Sequence, residues 1–431
     1  MSVDNHRLKQ NLKRLLDSRS ISELEEQLKA KDGQLPERPT ARPLSKETLE
    51  QRWHVIGGNS DHREALLDPH TESHLDLYKK NIENFIGTVK LPVGIAGPLR
   101  VNGLFAQGDY YIPLATTEAA LVASYNRGAI AISEAGGCTA ILLNEGVSRA
   151  PGFVFRSVIE AGLFAIWLSE QIDAFRERAE TTTRHGKLCN MKVNVEGNHV
   201  YVIFDFTTGD AAGQNMVTIA TEAICAYIME ASPVKPQYHF LEANMSGDKK
   251  ASSQSFQTVR GKKVTVEAVL PAHLVASRLR TTPEMMVNYW RMSALGGVMS
   301  GTIGVQGHYA NGLAALYIAC GQDAACVSES SVGVTRFEVD PDGALYASAT
   351  LPNLIVGTVG GGTSLPSQRA CLEILGLFGE GHSAAFAEIC AAVCLAGELS
   401  IIAALCSGDF SRAHQKLARG KAQRPAQEPH E

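Results

Sequence analysis

The chain of 431 residues lacks three glycine signatures: G-x-G-x-x-G, the Walker A loop and G-x-S-x-G. If it binds a dinucleotide, it does so without the Rossmann fingerprint. It is no P-loop enzyme, and no nucleophile elbow is present. Its nine cysteines show neither C-x-x-C nor zinc spacing. They read as small buried hydrophobes and free thiols in a reducing compartment, with Cys390 and Cys394 on one helical face. Charge of one sign is also scarce. The formal net charge is −5, without the concentrated basic surface that phosphate backbones require, so nucleic acid is not an expected partner. Small anions need only a few local cations. No run of 18 apolar residues is apparent and the N-terminus has no signal-peptide core, so a cytoplasmic protein without a membrane segment is expected. What remains is an ordinary globular composition, 45% hydrophobic and 20% charged, in a chain long enough for roughly two to four domains.

Residues 1–30 read as charged helices, with a capping box at Ser22-x-x-Glu25, and Pro36, Pro39 and Pro43 mark an extended linker before a helix from about 46. The segment 153–158 reads as a strand, and 160–178 carries Leu163, Phe164, Ile166, Trp167, Ile172 and Phe175 at helical spacing. Two alternating runs, 190–195 and 199–206, flank Glu196-Gly197-Asn198 and predict a hairpin; a helix over 213–231 and a strand over 237–241 follow. The order β-α-β-β-α-β is the split βαβ, or ferredoxin-like, pattern, placed at 151–240. Farther on, glycine-rich stretches at 296–308 and 356–364 permit tight turns and close backbone approach. An alanine-rich helix spans about 383–406 and ends at Gly408; a basic segment carrying His414 and a disordered tail over 421–431 complete the reading.

Several segments, in shared order and spacing from about 80 to 420, resemble hydroxymethylglutaryl-CoA reductase, closer to its eukaryotic and archaeal class. They are Glu83-Asn-Phe-Ile-Gly87 with Pro92-Val-Gly-Ile-Ala-Gly-Pro98, Ala115-Thr-Thr-Glu118, Asn126-Arg-Gly128, Gly209-Asp-Ala-Ala-Gly-Gln-Asn-Met216, Asp248-Lys-Lys250, Gly321-Gln-Asp323, Gly357-Thr-Val-Gly-Gly-Gly-Thr363 and Gly397-Glu-Leu-Ser400. The resemblance implies an α+β protein. A helical N-terminal arm would cover 1–85 and a large acyl-CoA domain 86–150 and 241–405. An inserted ferredoxin-like NADP-binding domain would cover 151–240, and a C-terminal flap 406–431. It also implies self-association, as a dimer or tetramer with active sites between subunits.

The implied reaction takes an acyl-CoA thioester to an alcohol with two hydrides from NADPH. The resemblance gives Lys249 the oxyanion of the hemithioacetal. It gives His414 the proton for the departing coenzyme A thiolate, a task suited to a group of pKa about 6.5 on a closing flap. Glu118 would protonate the aldehyde oxygen, with Asp323 close enough to share its proton. A plainer reading of Asp323 is a turn cap, and of Lys249 a solvated charged turn. Asp210, Gly213, Asn215 and Met216 fall in the nicotinamide-nucleotide motif, where Ala212 and Gln214 are departures; Arg184 and Arg419 match two cations beside the 2′-phosphate. Coenzyme A contacts are implied for Asn126, Arg127 and His308, and acyl-group contacts for Asn311, Asn244, Arg149 and Lys250.

Two positions depart from the family where it meets the substrate's free carboxylate. Glu242 replaces a serine and should repel that carboxylate; a family lysine falls on Met292 or, with a one-residue shift, on Arg291. A lost charge pair of this kind is worth about 2–5 kcal/mol of binding. A reductase acting on a different acyl-CoA therefore stands beside hydroxymethylglutaryl-CoA reduction, and a silent coenzyme A-binding relative is a third reading. Gly420 stands where animal and plant members carry a phosphorylatable serine, so that switch is not expected.

Overall fold

The computed structural model describes residue 10, residues 13–14, 16–31, 33–39 and 41–408. His414 and Arg419 lie outside the described residues. The chain divides into two compact units, residues 1–88 and 89–431.

In the first unit, α1 (Ile21–Leu28) is capped by Ser20, whose hydroxyl accepts from the Glu23 N–H while Glu23 reaches back to the Ser20 N–H. This corrects the expected box at Ser22-x-x-Glu25. Two overlapping Ser-x-x-Glu patterns exist, and the chain uses the earlier, leaving Ser22 inside the helix. A second box, Ser45 with Thr48, opens α2 (Lys46–Val55). From α2 the buried Arg52 donates to the carbonyls of Arg42 and Phe85, and Trp53 Nε1 donates to the Ile86 carbonyl at 3.1 Å. The extended segment 85–86 is thus fastened through its own peptide oxygens. The short helices α3 (Ser60–Leu66) and α4 (Pro69–Ser73) follow.

The second unit is built on one ten-stranded sheet. Its elements open with β1 (Val93–Gly103), β2 (Gln107–Ala115), α5 (Leu121–Glu134), β3 (Cys138–Arg149) and β4 (Gly152–Val154). Then come α6 (Val158–Ser169), α7 (Ile172–Glu180), β5 (Lys187–Glu196), β6 (His199–Thr207), α8 (Gln214–Ala231) and β7 (Tyr238–Phe240). The last group is β8 (Gly261–Leu270), α9 (Pro283–Ser300), α10 (Tyr309–Ala319), β9 (Val334–Val339), β10 (Leu345–Leu354), α11 (Pro366–Ile374) and α12 (Ser383–Ser407). The strand order is β7-β4-β6-β3-β8-β10-β9; β1 joins β2 and β3, and β5 joins β6. The long strand β3 is the shared member. Its first residues pair with β1 and β8, and Val147–Arg149 pair with β6.

Within 152–240 the elements run strand, helices, two strands, helix, strand, and β4 lies between β6 and β7, antiparallel to both. Two local expectations need correction. The strand placed over 153–158 ends at Val154, because Ser157 accepts from the Glu160 N–H and starts α6. The single helix placed over 160–178 is two, broken after Ser169.

At the centre lies α12, against α5, α10, β3, β8 and β10. Among the described residues it is the one helix long and apolar enough to cross a membrane, which corrects the expectation that no such run exists. Of its most apolar window 83% is buried inside the protein, and a helix covered on all sides is apolar all round. The fit against α5 is so close that a Cβ on Gly128 would lie 1.8 Å from the Ala396 carbonyl oxygen. This accounts physically for the glycine of Asn126-Arg-Gly128. Two acids, Glu388 and Glu398, are fully buried in α12. Glu388 accepts from the N–H groups of Leu104, Phe105, Ala106 and Leu142 and thereby fixes the β1–β2 turn.

Candidate functional site

Lys249 sits in the loop between β7 and β8 with φ 55°, a left-handed conformation that costs a non-glycine residue roughly 1–2 kcal/mol. The surroundings hold it there at both ends. Its N–H donates to Glu329 Oε1 at 3.1 Å, and its Nζ lies 2.8 Å from Asp323 Oδ2. Asp323 also caps the short turn 324–326 by accepting from the Ala325 N–H at 3.0 Å. Cap and ion-pair partner are therefore one residue, and the plainer expectation of a turn cap holds geometrically.

Burial pushes the Asp323 carboxyl up, but the Lys249 ammonium and the Ala325 N–H outweigh it, and the group lies below the usual carboxylate range. The hydrogen bond that Lys249 donates to Asp323 raises the lysine above its ordinary value, against a smaller opposing effect of burial. Asp323 is thus ionised beside a charged lysine at neutral pH. A proton to be shared between carboxyl groups does not reside on it in this state.

Behind Lys249 is a chain of buried and half-buried charges. Arg260 donates to Glu329 through Nη1 and to Asp248 Oδ1, at 2.7 Å, through Nη2. Arg149, at the end of β3, donates to Asp248 Oδ2 at 3.0 Å and to the Gln214 carbonyl at 3.3 Å; Glu242 Oε2 is 3.5 Å from its Nη1. Burial pushes the Glu329 carboxyl up, and the Arg260 guanidinium opposes it. The oxygens of Glu242 also accept from the N–H groups of Ala150 and Asn244. Glu242, expected from the sequence to repel a substrate carboxylate, thus has Arg149 as a partner inside the protein. Asn244 has φ 67°, and Lys250 Nζ donates to the Asp248 carbonyl.

The nucleotide-motif residues gather where β6 passes into α8. Gly213 heads the helix with φ +73°, and a Cβ there would lie 2.2 Å from Thr208 Cγ2. Gln214 Nε2 donates to Cys326 Sγ, three residues after Asp323. Met216 Sδ accepts from the hydroxyl of Thr183, the neighbour of the exposed Arg184, and Asn215 is exposed. Asp210 turns inward: its oxygens accept from Gly381 N–H at 2.8 Å and Ser383 N–H at 3.1 Å, at the start of α12.

A second group forms around the start of α10. Asn311 Nδ2 lies 3.5 Å from Glu118 Oε1, the outer limit of a hydrogen bond. The His308 ring stacks on Tyr125 at 5.3 Å. Its backbone N–H donates to Glu398 Oε1 at 2.8 Å, and the Gly307 N–H and Thr335 hydroxyl donate to Oε2. Asn126 Oδ1 accepts from Gly97 N–H, and Arg127 grips Ser400 through its hydroxyl and carbonyl. Both residues thus also make contacts within the protein. Arg291 and Met292 are exposed on α9.

The structure therefore brings together Lys249 with Asp323, and Glu118 with Asn311, and it links Arg149 and Gln214 to the Lys249 loop. Arg260, Glu329 and Glu398 escaped the sequence reading as functional supports. Glu398 had two usable signals, an acid in a largely apolar helix and its place in Gly397-Glu-Leu-Ser400; Arg260 and Glu329 had none.

Comparison with known proteins gives a consistent result. The model of the family described as Hydroxymethylglutaryl-coenzyme A reductase matches residues 48–419. A 3-hydroxy-3-methylglutaryl-coenzyme A reductase from Pyrococcus horikoshii is 44% identical over 391 residues, 88% of this chain and 92% of the relative. One from Aeropyrum pernix is 47% identical over 352 residues, 80% of this chain and 83% of the relative. Among solved structures, a class II 3-hydroxy-3-methylglutaryl-CoA reductase from Streptococcus pneumoniae bound to NADPH aligns with a TM-score of 0.63 at 20% identity. It covers 82% of this chain and 99% of that one, and the similarity is one of fold.

Proposed function

The chain belongs to the hydroxymethylglutaryl-coenzyme A reductase family, and from that membership we propose that it reduces 3-hydroxy-3-methylglutaryl-CoA to mevalonate and free coenzyme A with NADPH. Residues 151–240 serve as a ferredoxin-like cofactor domain inserted into a substrate domain of 86–150 and 241–405, with 1–85 as a helical arm and 406–431 as a flap carrying His414. The working unit is a dimer or tetramer.

The start of α8 suits the cofactor's phosphates. Its first-turn N–H groups carry the positive end of an 18-residue helix, and Gly213, Asn215 and Met216 surround that end. Arg184 and Arg419 take the 2′-phosphate, and Asp210 holds the motif's turn against α12. When bound, NADPH supplies hydride to the carbonyl carbon, once for the thioester and once for the aldehyde.

The remaining work falls to side chains. Lys249 Nζ donates to the oxyanion that forms on the thioester carbonyl. His414 gives a proton to the departing thiolate, whose pKa of about 8.5 allows it to leave but also to return. Glu118 gives a proton to the aldehyde oxygen. Arg149, Lys250, Asn244 and Asn311 hold the acyl group, and His308, Asn126 and Arg127 stand along the coenzyme A path. The observation that carries this reading is the Lys249–Asp323 pair on a backbone pinned by Glu329.

Mevalonate is the expected product when the chain meets hydroxymethylglutaryl-CoA and NADPH; its absence overturns the proposal. A second reading has a specific observation behind it, since Arg149 faces Asp248 and Glu242 together. If acyl-CoAs without the free carboxylate react as efficiently as hydroxymethylglutaryl-CoA, the second reading replaces the first.

The ion pair makes a pH prediction. Asp323→Asn removes the carboxylate whose hydrogen bond and charge raise Lys249, so the alkaline limit of NADPH oxidation moves to lower pH. The sign follows for each partner. The raised Lys249 stabilises the fold below its ordinary pKa and ceases to do so as pH rises through the folded value. The lowered Asp323 contributes above its ordinary pKa and ceases as pH falls through the folded one. An alkaline limb unmoved in the variant contradicts the pairing.

A further inference from the structure

We infer that Arg260 is the positioning residue for Lys249: its single guanidinium joins the two carboxylates that bracket the lysine's backbone and so fixes the direction of the ammonium. The inference rests on the proposed role of Lys249.

The geometry is closed. Arg260 is 2% exposed, immediately precedes β8, and is anchored by its own N–H to Asn353 Oδ1 at 3.0 Å. One arm meets Glu329, fully buried, whose other oxygen accepts the Lys249 N–H. The other arm meets Asp248, the residue before Lys249. The segment 323–329 thus holds the lysine at both ends, Nζ by Asp323 and N–H by Glu329, and Arg260 keeps Glu329 and Asp248 in register. A left-handed lysine relaxes when its restraints are removed, and a reacting group displaced by an ångström loses much of its effect. Arg260 touches neither substrate nor cofactor in this account; it acts through Lys249. A planar fork can meet two acids at fixed angles, whereas a lysine at the same place is a point charge.

Two variants separate positioning from mere folding. Arg260→Lys keeps the charge and loses the fork. The double variant Arg260→Met with Glu329→Met replaces a buried ion pair by apolar side chains, an exchange that often leaves stability intact. In the full chain with hydroxymethylglutaryl-CoA and NADPH, both are expected to lower kcat by about 10–100-fold. The KM for NADPH should stay within about twofold, and the alkaline limb should shift downward as Lys249 drifts from Asp323. Glu329→Gln, which keeps an oxygen for the Lys249 N–H, should retain more activity than the double variant. A purely structural loss would lower the folded fraction and leave the pH profile unmoved. Wild-type kcat and pH profile in Arg260→Lys and the double variant, with Lys249→Ala inactive, overturns the inference alone. Full activity in Lys249→Ala overturns the catalytic reading and the inference with it.

Discussion

Lys249→Ala is expected to lower kcat for hydroxymethylglutaryl-CoA reduction by about 10³-fold, with KM for NADPH nearly unchanged. The oxyanion formed by the first hydride is the point of greatest charge development. A preorganised donor aimed at such an oxygen typically contributes about 10²–10³-fold, and a full charge belongs at the upper end. Preorganisation is visible in the resting structure. The ammonium is tied to Asp323 at 2.8 Å and the backbone to Glu329 at 3.1 Å. The substitution leaves the fold in place, because Lys249 is partly exposed and its ion pair with Asp323 is of the kind worth less than about 1 kcal/mol. Steady-state kinetics beside circular dichroism reads both. A loss below about tenfold would mean that another group meets the oxyanion.

Glu398→Ala is expected to cost about 3–5 kcal/mol of stability in the larger unit. The side chain is fully buried in α12 and accepts from Gly307 N–H at 2.7 Å, His308 N–H at 2.8 Å and the Thr335 hydroxyl at 2.9 Å. Truncation leaves these donors facing a cavity, and each unpaired buried donor costs about 1–3 kcal/mol. Release of the buried carboxylate offsets part of this. Glu398→Gln keeps one accepting oxygen and should cost about half as much. Because His308 leads into α10, which carries Asn311 beside Glu118, the alanine variant should also raise KM for the acyl-CoA. Chemical denaturation followed by substrate titration checks both. A stability change under about 1 kcal/mol would mean that water replaces the carboxylate.

The parts of the fold legible in the sequence were those with a local period or a local punctuation mark. The hairpin of β5 and β6 alternates around Gly197, α8 begins after Gly213, and α12 stops at Gly408. Misreadings came from competition between neighbouring signals. Ser20 and Ser22 both offer a cap, and Ser157 ends a run of apolar residues that otherwise continues as a strand. The candidate site was legible through short motifs, and those motifs delivered Lys249 and Asp323 to within 2.8 Å. Its supports were not. Arg149, Glu242, Asp248, Arg260 and Glu329 meet across as many as 99 positions in sequence. A pairing over that distance leaves no periodicity, since nothing in a lone glutamate of Val327-Ser-Glu-Ser330 distinguishes a buried partner from a solvated one. Glu242 is the instructive case. As a residue type it looked hostile to a substrate carboxylate, yet its position gives it Arg149 as a partner.

The central claim is a two-hydride reduction of a coenzyme A thioester by one site. Its most direct test counts NADPH oxidised, coenzyme A thiol released and mevalonate formed in one reaction of the full chain with hydroxymethylglutaryl-CoA. The account predicts two NADPH for each thiol and each mevalonate. One NADPH per thiol with aldehyde accumulating, or thiol released without NADPH oxidation, would contradict it.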